Sequence, residues 1–338
     1  MSEAANETLL RVRNLTVRFP MPRTRLVGPR PWIKAVDAVD LEIDTGCTLG
    51  LVGESGCGKS TLARPNLALV VPQAGTIEWR GQPLRHDDAV GLRRMRRELQ
   101  VVFQDPVGSL DPRMSIGESV AEALEALEGP QDAVATRARV NSMLAEVGLD
   151  PTIHARYPHE LSGGQCQRAA IARALVGRPK LLVCDEAVSA LDVSVQAQIV
   201  NLLADLRRRH GLALLFISHN LAVVRHLCDE VAVLYRGRIV ERAASAAIFA
   251  APRHPYTRAL LAAVPEPDPA ARARPAAPEL RAAVAVESVA GEGCAYRLRC
   301  PLADSDCRAQ APRLEDGGGG HLTACHRAPV EPPASRTR

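Results

Sequence analysis

The segment at residues 53–60, GESGCGKS, carries the most specific chemical pattern in the sequence, because it fits G-x-x-x-x-G-K-[ST]. Glycines at this spacing let backbone N–H groups face phosphate oxygens, and a helix that starts there adds the positive end of its dipole. We expect Lys59 to reach the β- and γ-phosphates of a nucleotide and Ser60 to bind Mg²⁺. The predicted nucleotide-binding residues of this segment and of the position that follows it are Gly53, Ser55, Gly56, Cys57, Gly58, Lys59, Ser60 and Thr61. Alone, the pattern predicts binding of a nucleoside triphosphate and no particular reaction.

Two adjacent carboxylates end the run LLVCDE at residues 181–186. Asp185 should lie at the end of a buried strand, where we expect it to hold Mg²⁺ through water. Glu186 follows directly and can polarise an attacking water as a general base. An ordinary carboxylate pair at a strand end is the alternative, but the phosphate-binding pattern upstream favours hydrolysis.

The elements that must position these groups alternate between strands and helices. Continuous apolar runs predict buried strands, whereas alternating apolar and polar residues predict half-buried ones. The predicted strands cover residues 9–19, 33–43, 48–53, 76–84, 99–103, 181–185 and 212–218. Residues 117–148 are helix-rich, with Gly148 as the expected stop. This alternation predicts an α/β core built on a parallel sheet.

Length and composition indicate a main domain with an appendage. The chain has 338 residues, of which 46% are hydrophobic and only 3% aromatic, so aliphatic side chains must fill the core. The net charge of +4 comes without a block of like charges, which argues against a nucleic-acid partner. The N-terminus lacks the pattern of a signal peptide, and no apolar run is long enough to span a bilayer. We therefore expect a cytosolic protein that reaches a membrane only through a partner.

The sequence changes character near residue 265. A stretch rich in Pro, Ala and Arg indicates a linker, and four of the nine cysteines follow it. These four, Cys294, Cys300, Cys307 and Cys325, are separated by five, six and seventeen residues. This is neither the paired spacing of a zinc ribbon nor a common ferredoxin spacing. Spacing alone therefore leaves a metal site and free thiols equally open.

The segment LSGGQ at residues 161–165 points to a family. Its small residues open a helix, so Ser162 and the N–H groups near Gly163 and Gly164 can form a second anion site. The segment resembles the signature of ABC ATPases, in which two cassettes pair head to tail and each signature covers the ATP held by the other's phosphate loop. The resemblance implies a P-loop NTPase fold with an antiparallel β subdomain and a helical signature subdomain. It also implies that Ser162, Gly163, Gly164 and Gln165 contact ATP in a dimer.

Four further residues match motifs of this family in the family's order. Gln104 in VVFQDP resembles the Q-loop glutamine, which touches Mg²⁺ and water and faces the permease. Asp192, which ends SALD, resembles the D-loop aspartate at the dimer seam. His219 in FISHN resembles the switch histidine that contacts the γ-phosphate, and Phe19 occupies the place of an aromatic that stacks on adenine. The alternatives are a hydrogen-bonded strand-end histidine and an unremarkable strand aromatic.

Longer stretches are similar to the ATPases of oligopeptide and dipeptide importers, namely FQDPVGSLDPRMS, YPHELSGGQ, DEAVSALDVSVQAQIVNLL, RHPYTRALLAAVPEP and the cysteine-rich tail. The similarity is greatest to the second of the two unlike ATPase subunits that these importers use. It implies a heterodimer with an unlike ATPase, two membrane permeases and an extracytoplasmic substrate-binding protein, with the chain peripheral on the cytoplasmic face of the inner membrane. It also implies a [4Fe–4S] cluster on the four tail cysteines, with zinc as the alternative. Importers of nickel, glutathione and sugars use similar ATPases, so the cargo stays open.

The motifs and the composition together predict the domain organisation. Residues 8–262 should form the ABC ATPase domain, 263–290 a linker, 291–327 a small cysteine-rich region and 328–338 a disordered tail. A non-transport ABC protein and a binding-only subunit with a degenerate site are the alternatives. Non-transport members usually carry two ATPase domains or a coiled-coil insertion, whereas this chain has one set of motifs and no heptad run.

Four residues depart from the pattern of the family. Pro65 falls inside the helix predicted after residue 60, where it costs about 3 kcal/mol unless the helix kinks, because it lacks an N–H and crowds a carbonyl. Cys166 replaces the usual Arg after LSGGQ, Ala187 the usual Pro after the acidic pair, and Asn220 the usual Asp after the histidine. None removes a catalytic group, so we expect an intact site, with slower turnover as the alternative.

Overall fold

The computed structural model describes residues 7–21, 30, 32–263 and 293–328. The predicted linker lies outside the described residues except for its first position, and so does the predicted disordered tail except for residue 328. Within the described ranges, no helix combines the length and the apolar character that a membrane crossing requires.

The described residues form twelve strands and ten α-helices. The strands are β1 (Thr8–Pro20), β2 (Trp32–Asp44), β3 (Thr48–Val52), β4 (Ala74–Trp79), β5 (Gln82–Pro83), β6 (Leu99–Val102), β7 (Leu181–Asp185), β8 (Ala213–Ile217), β9 (Glu230–Tyr235), β10 (Arg238–Ala244), β11 (Glu315–Asp316) and β12 (Leu322–Thr323). The helices are α1 (Lys59–Asn66), α2 (Ala89–Glu98), α3 (Ile116–Glu128), α4 (Ala133–Glu146), α5 (Gly163–Leu175), α6 (Val193–His210), α7 (Leu221–Leu227), α8 (Ser245–Ala250), α9 (Pro255–Ala262) and α10 (Ser305–Ala309).

Five parallel strands form one side of an eight-stranded sheet, in the order β9-β3-β8-β7-β6, with β6 at the edge. Every residue of β3 and β8 is buried, as the continuous apolar runs in the sequence predict. The prediction of an α/β core on a parallel sheet is confirmed. Because parallel strands end at the same edge, the residues that follow β3, β7 and β8 lie close together there.

The C-terminal segment, residues 293–328, adds to the same sheet. Strand β10 pairs antiparallel with β9, β12 pairs antiparallel with β10, and β11 pairs with β12. The register between β10 and β12 sets Glu241 opposite Thr323 and Arg242 opposite Leu322. The segment is therefore part of the sheet that carries the phosphate-binding pattern.

A second, antiparallel sheet has the strand order β2-β1-β4-β5. The long strands β1 and β2 agree with the predicted strands at 9–19 and 33–43. The single hairpin arm predicted over 76–84 is wrong, because the chain turns back within it. Arg80 and Gly81 have positive φ angles of 49° and 71°, so they form a two-residue turn that returns β5 against β4.

The helical region predicted at 117–148 is confirmed but contains two helices, α3 and α4. The break falls at Gly129, which has a φ of 89°. Ser115 opens α3 with a capping box in which the Glu118 carboxylate accepts from the Ser115 N–H at 2.7 Å. Gly148 ends α4 as predicted, with a φ of 73° and its N–H donating to the Ala145 carbonyl at 3.0 Å.

The central sheet separates two hydrophobic clusters, because alternate residues of each strand point to opposite faces. On β7 and β8, Leu182 and Phe216 belong to the cluster formed with α3, α5 and α6. Val183 and Leu215 belong to the cluster formed with the antiparallel sheet. Aliphatic side chains dominate both clusters, as the composition predicts.

Pro65 occupies the last turn of α1, and the helix ends at the next residue, Asn66. The side-chain Nδ2 of Asn66 donates to the Leu62 carbonyl at 3.0 Å. Ala68 follows with a left-handed φ of 52°, which turns the chain away. The proline therefore acts at the end of a two-turn helix and leaves the first turn, which carries Lys59 and Ser60, intact.

Candidate functional site

The phosphate loop, residues 53–60, connects β3 to α1 at the carboxyl edge of the parallel sheet. At two positions of the loop, both the backbone φ angle and the lack of room for a Cβ atom require glycine. A Cβ on Gly53 (φ 154°) would lie 2.3 Å from the Leu234 carbonyl oxygen, and one on Gly58 (φ 108°) would lie 2.2 Å from that of Ala35. Since backbone oxygens cannot move aside like a flexible side chain, only glycine fits at either position.

Lys59 lies inside this loop and is 4% exposed. Its Nζ donates to the carbonyl oxygens of Gly53 at 2.9 Å and Glu54 at 3.1 Å. The same Nζ lies 3.7 Å from Oε1 of Glu186. The ammonium group therefore stands between the loop and the acidic pair, where a γ-phosphate needs a positive charge.

Ser60 and Asp185 meet at the start of α1 and the end of β7. The Ser60 hydroxyl donates to Oδ1 of Asp185 at 2.8 Å. Burial raises the pKa of the Asp185 carboxyl, the Ser60 hydrogen bond lowers it, and the nearby Glu186 charge raises it. A hydroxyl and a carboxylate side by side are the oxygen ligands that Mg²⁺ prefers, so these residues fit the predicted ion.

Glu186 is held in an unusual backbone conformation for a non-glycine residue, with a φ of 50°. Its N–H donates to the Ile217 carbonyl at 3.0 Å, and its own carbonyl accepts from the Ser189 hydroxyl at 2.9 Å. These bonds direct the carboxylate to a position where Oε2 lies 3.7 Å from Nδ1 of His219. The structure thus brings together Lys59, Glu186 and His219, which the sequence analysis selected from three separate motifs.

Gln104 and Phe19 lie nearer the periphery. Val102 on β6 pairs with Cys184 on β7, so Gln104 lies beyond the same end of the sheet as Asp185, with an exposed side chain. Phe19 lies on β1, is partly buried and packs against the cluster under the antiparallel sheet. Its adenine-stacking role stays a prediction.

The signature residues open α5. Ser162 caps the helix, with its N–H donating to Oε1 of Gln165 at 3.0 Å and its hydroxyl accepting from the Gln165 N–H at 3.3 Å. Ser162 and Gly163 are exposed. A Cβ on Gly164 would lie 2.7 Å from Val195 on α6, so the starts of α5 and α6 pack closely.

Asp192 caps α6 beside the signature. Its carboxylate accepts from the Val195 N–H at 3.0 Å and from the Ser194 hydroxyl at 2.7 Å. The Val195 N–H bond, followed by the Ser194 bond, lowers the pKa of this exposed carboxyl. Two predicted dimer motifs therefore share one exposed surface.

The remaining departures from the family pattern leave the site intact. Cys166 is fully buried, with its thiol 3.4 Å from the Pro158 carbonyl. Ala187 is buried directly behind Glu186. Asn220 caps α7 by accepting from the Ala222 N–H at 3.1 Å, which an aspartate would do equally well.

The four tail cysteines lie in one neighbourhood of the C-terminal segment. The Cys294 N–H donates to the Cys307 carbonyl at 2.8 Å. Burial is the main cause that raises the pKa of the Cys325 thiol, and the charges of Cys300, Cys294 and Cys307 raise it further. Among the described residues, however, no group of three or more His, Cys, Asp or Glu side chains could hold a metal ion. The predicted [4Fe–4S] or zinc site is therefore not supported.

Sequence reasoning missed two residues, Arg299 and Tyr256, that contact the phosphate loop from outside. Arg299 donates through Nη1 and Nη2 to the two carboxylate oxygens of Glu54, at 2.9 and 2.8 Å. The Tyr256 hydroxyl accepts from the Glu54 N–H at 2.9 Å. Since Glu54 and Arg299 are 245 residues apart, no spacing rule could have paired them. The one feature of the sequence that pointed to this contact was the charge of Glu54, which stands at a variable position of the glycine-rich pattern.

Two families match the chain. The ABC transporter family matches residues 36–189, which include the phosphate loop, the signature and the acidic pair. The family described as "Oligopeptide/dipeptide transporter, C-terminal region" matches residues 240–307, from β10 into the C-terminal segment.

Similar curated proteins extend over nearly the whole chain. "Oligopeptide transport ATP-binding protein OppF" of Haemophilus influenzae is 44% identical over 321 residues, covering 94% of this chain and 97% of its own length. The protein of the same name from Salmonella typhimurium is 46% identical over 330 residues, covering 94% and 96%. A "Probable peptide ABC transporter ATP-binding protein" of Sinorhizobium fredii is 47% identical, covering 96% and 92%.

Similar solved structures are ATP-binding cassettes. One described as a dimeric post-hydrolysis state bound to ADP and Pi has a TM-score of 0.62 and 27% identity, covering 70% of this chain and 99% of its own. The cbiO1 protein of Clostridium perfringens, described as part of an ABC transporter complex, also has a TM-score of 0.62 and 27% identity, covering 72% and 92%.

Proposed function

Because the chain belongs to the ABC transporter ATP-binding proteins, and within them to the oligopeptide transport group, we propose that it hydrolyses ATP to energise a peptide importer. The observation that carries the proposal is the arrangement at the carboxyl edge of the sheet. Lys59, Ser60, Asp185, Glu186 and His219 converge there. Ser60 contacts Asp185 at 2.8 Å, and Lys59 and His219 each lie 3.7 Å from Glu186. A binding-only subunit would not need Glu186 and His219.

The reaction uses these residues in distinct roles. The loop N–H groups and Lys59 bind the phosphates, while Ser60, Asp185 and Gln104 would hold Mg²⁺, which neutralises charge on the phosphates when bound. Glu186 takes a proton as water attacks the γ-phosphorus, the bond to the β-phosphate oxygen breaks, and ADP leaves. His219 holds the γ-phosphate in line.

Hydrolysis requires a second cassette. The exposure of Ser162, Gly163 and Asp192 supports an interface at the starts of α5 and α6. We propose that an unlike ATPase subunit faces this surface and completes both sites. The ATPase domain at residues 8–262 and the cysteine-rich region at 291–327 are part of the same proposal.

The names of the relatives describe ATP-binding proteins of oligopeptide or peptide transport, which supports a set of transport partners. These partners comprise two membrane permeases, contacted near Gln104, and an extracytoplasmic protein that delivers peptide. The chain would be peripheral on the cytoplasmic face of the inner membrane and would bind no nucleic acid. The proposal includes no metal cluster in the tail, since the described side chains do not form its site.

The decisive variant is Glu186→Gln, measured in the complex with its partner subunits. Removing the general base should lower kcat for ATP about 10²-fold or more, while the affinity for a fluorescent ATP analogue is retained. Hydrolysis at the wild-type rate would contradict the assignment. Uptake of labelled oligopeptide, nickel, glutathione and sugar by cells with and without the subunit identifies the cargo.

A further inference from the structure

The C-terminal segment reaches the phosphate loop through one side chain. The Arg299 guanidinium makes a two-pronged contact with the Glu54 carboxylate, at 2.8 and 2.9 Å. Such paired charge-assisted bonds fix geometry as well as adding energy. The Arg299 side chain is 14% exposed and the Glu54 side chain is 40% exposed, so water reaches this ion pair from the Glu54 side.

Three tyrosines fix the position of the guanidinium. The rings of Tyr235, Tyr256 and Tyr296 lie with centroids 4.5 to 5.4 Å apart. The Arg299 guanidinium lies 5.9 Å from the centre of the Tyr235 ring and 5.7 Å from that of Tyr296. Since Tyr256 also accepts from the Glu54 N–H, one aromatic cluster supports both contacts to Glu54.

The segment that carries Arg299 is itself tied to the sheet. Glu241 on β10 is fully buried and accepts from Nε2 of His321 at 2.6 Å. The same carboxylate accepts from the N–H groups of Arg253 and His254 at 2.6 and 3.0 Å. These bonds join β10, the start of α9 and the C-terminal segment, so Arg299 is presented from a rigid base.

Glu54 therefore has contacts on both sides of the loop. Inside, its carbonyl accepts from Lys59 at 3.1 Å; outside, its carboxylate and N–H are bound by Arg299 and Tyr256. The same carbonyl of Glu54 also accepts from the Cys57 N–H at 3.2 Å. The inner bonds therefore hold the carbonyl of Glu54, whereas Arg299 and Tyr256 hold its carboxylate and its N–H.

We propose that Arg299 is a positioning residue for ATP: from the cysteine-rich segment it holds Glu54, and thereby the phosphate loop, in the conformation that receives the nucleotide. The inference rests on the proposed ATPase function. It assigns to the C-terminal segment a direct part in nucleotide affinity, without any contact between that segment and the nucleotide. Loss of the pair lowers affinity, because ATP must then order the loop itself.

The experiment compares Arg299→Gln, Glu54→Gln and the double variant in the assembled complex. Each single change should raise the Kd of a fluorescent ATP analogue and the KM for ATP about tenfold, with kcat changed less than twofold. The double variant should be no worse than either single one, since both remove the same contact. Arg299→Lys should recover part of the affinity by restoring the charge without the fork.

Arg327→Gln is the matched control. Arg327 forms ion pairs with Asp304 and Asp306 that stay within the C-terminal segment. The Arg327→Gln variant should therefore bind ATP with unchanged affinity. An equal loss of affinity in Arg327→Gln, or unchanged affinity in Arg299→Gln and Glu54→Gln, would overturn the inference.

The binding measurement separates this inference from the proposed function. If wild-type complex binds ATP but Glu186→Gln hydrolyses at the wild-type rate, the catalytic assignment fails and the Arg299 comparison stands. If the wild-type complex binds no ATP, both fail.

Discussion

The chain contains two glycine-rich segments that open helices, and their surroundings differ. The phosphate loop is enclosed: Lys59 is 4% exposed, and Gly53 and Gly58 lie against the carbonyls of Leu234 and Ala35 from other strands. The signature is open, with Ser162 and Gly163 exposed and held by a local capping box. The comparison teaches that one segment is completed by its own chain, whereas the other leaves its helix start exposed to solvent.

The largest difference between the phosphate loop and the signature should appear in the affinity of the single chain for nucleotide. Lys59→Ala should weaken binding of a fluorescent ATP analogue by about 100-fold, because the loop loses the cation that faces the phosphates. Ser162→Ala should leave this affinity unchanged and instead reduce ATP-dependent association with the partner cassette. Light scattering with and without ATP measures association, and equal effects of both variants on single-chain binding would contradict the comparison.

Replacing one glycine of each segment by alanine should lower stability in the phosphate loop but not in the signature. Gly58→Ala should lower the free energy of unfolding by about 2 kcal/mol or more, since a Cβ would meet the Ala35 carbonyl at 2.2 Å and the φ is 108°. Gly163→Ala meets only Leu191 at 3.7 Å and should be neutral or stabilise by up to about 1 kcal/mol. Denaturant unfolding of the nucleotide-free chain measures both. Gly56→Ala, where a Cβ meets no atom within 4 Å, isolates the backbone contribution.

The smallest expected effects concern one carboxylate beside each segment. Burial raises the pKa of the Asp185 carboxyl, so the folded state binds its proton more tightly than the unfolded state does. Above the folded pKa the carboxyl is charged, and its burial then lowers the stability of the folded state. Asp185→Asn should therefore raise the melting temperature at neutral pH by about 1–2 °C, with the gain vanishing as the pH falls through that pKa.

Asp192 should respond in the opposite way. The Val195 N–H bond lowers the pKa of this carboxyl, so its contribution is present above the unfolded value of about 3.9 and is lost as the pH falls through the folded pKa. Asp192→Ala should lower the melting temperature at neutral pH, and the loss should shrink in acid. Scanning calorimetry between pH 3 and 7 measures the melting temperatures of both variants. A change of the same sign in Asp185→Asn and Asp192→Ala would contradict the assignment of one enclosed and one open carboxylate.

Local patterns predicted most of the site because each encodes its own backbone geometry. The glycines at 53–58 specify a loop that only they can form, and the apolar run before Asp185 specifies a buried strand. The convergence of Glu186 and His219 follows from the common end of parallel strands β7 and β8. The turn at Arg80 was missed because a strand-like composition continues on both sides of it.

Contacts between distant parts of the chain could not be predicted in this way. Nothing in the sequence near Glu54 specifies Arg299, since their approach depends on how the C-terminal segment packs beside β10. Cysteine spacing likewise fixes the order of the thiols but not where the sulfurs point, so the predicted metal cluster is not supported by the side chains.

The pairing of β12 with β10 has a consequence for solubility. Without the C-terminal segment, β10 would be an edge strand with unpaired backbone groups, which is a template for aggregation. Removal of the segment would also take away the His321 side chain, which bonds the buried Glu241 carboxylate. The segment thus serves as a protective cover for the sheet edge, and a chain cut before it should self-associate through β10.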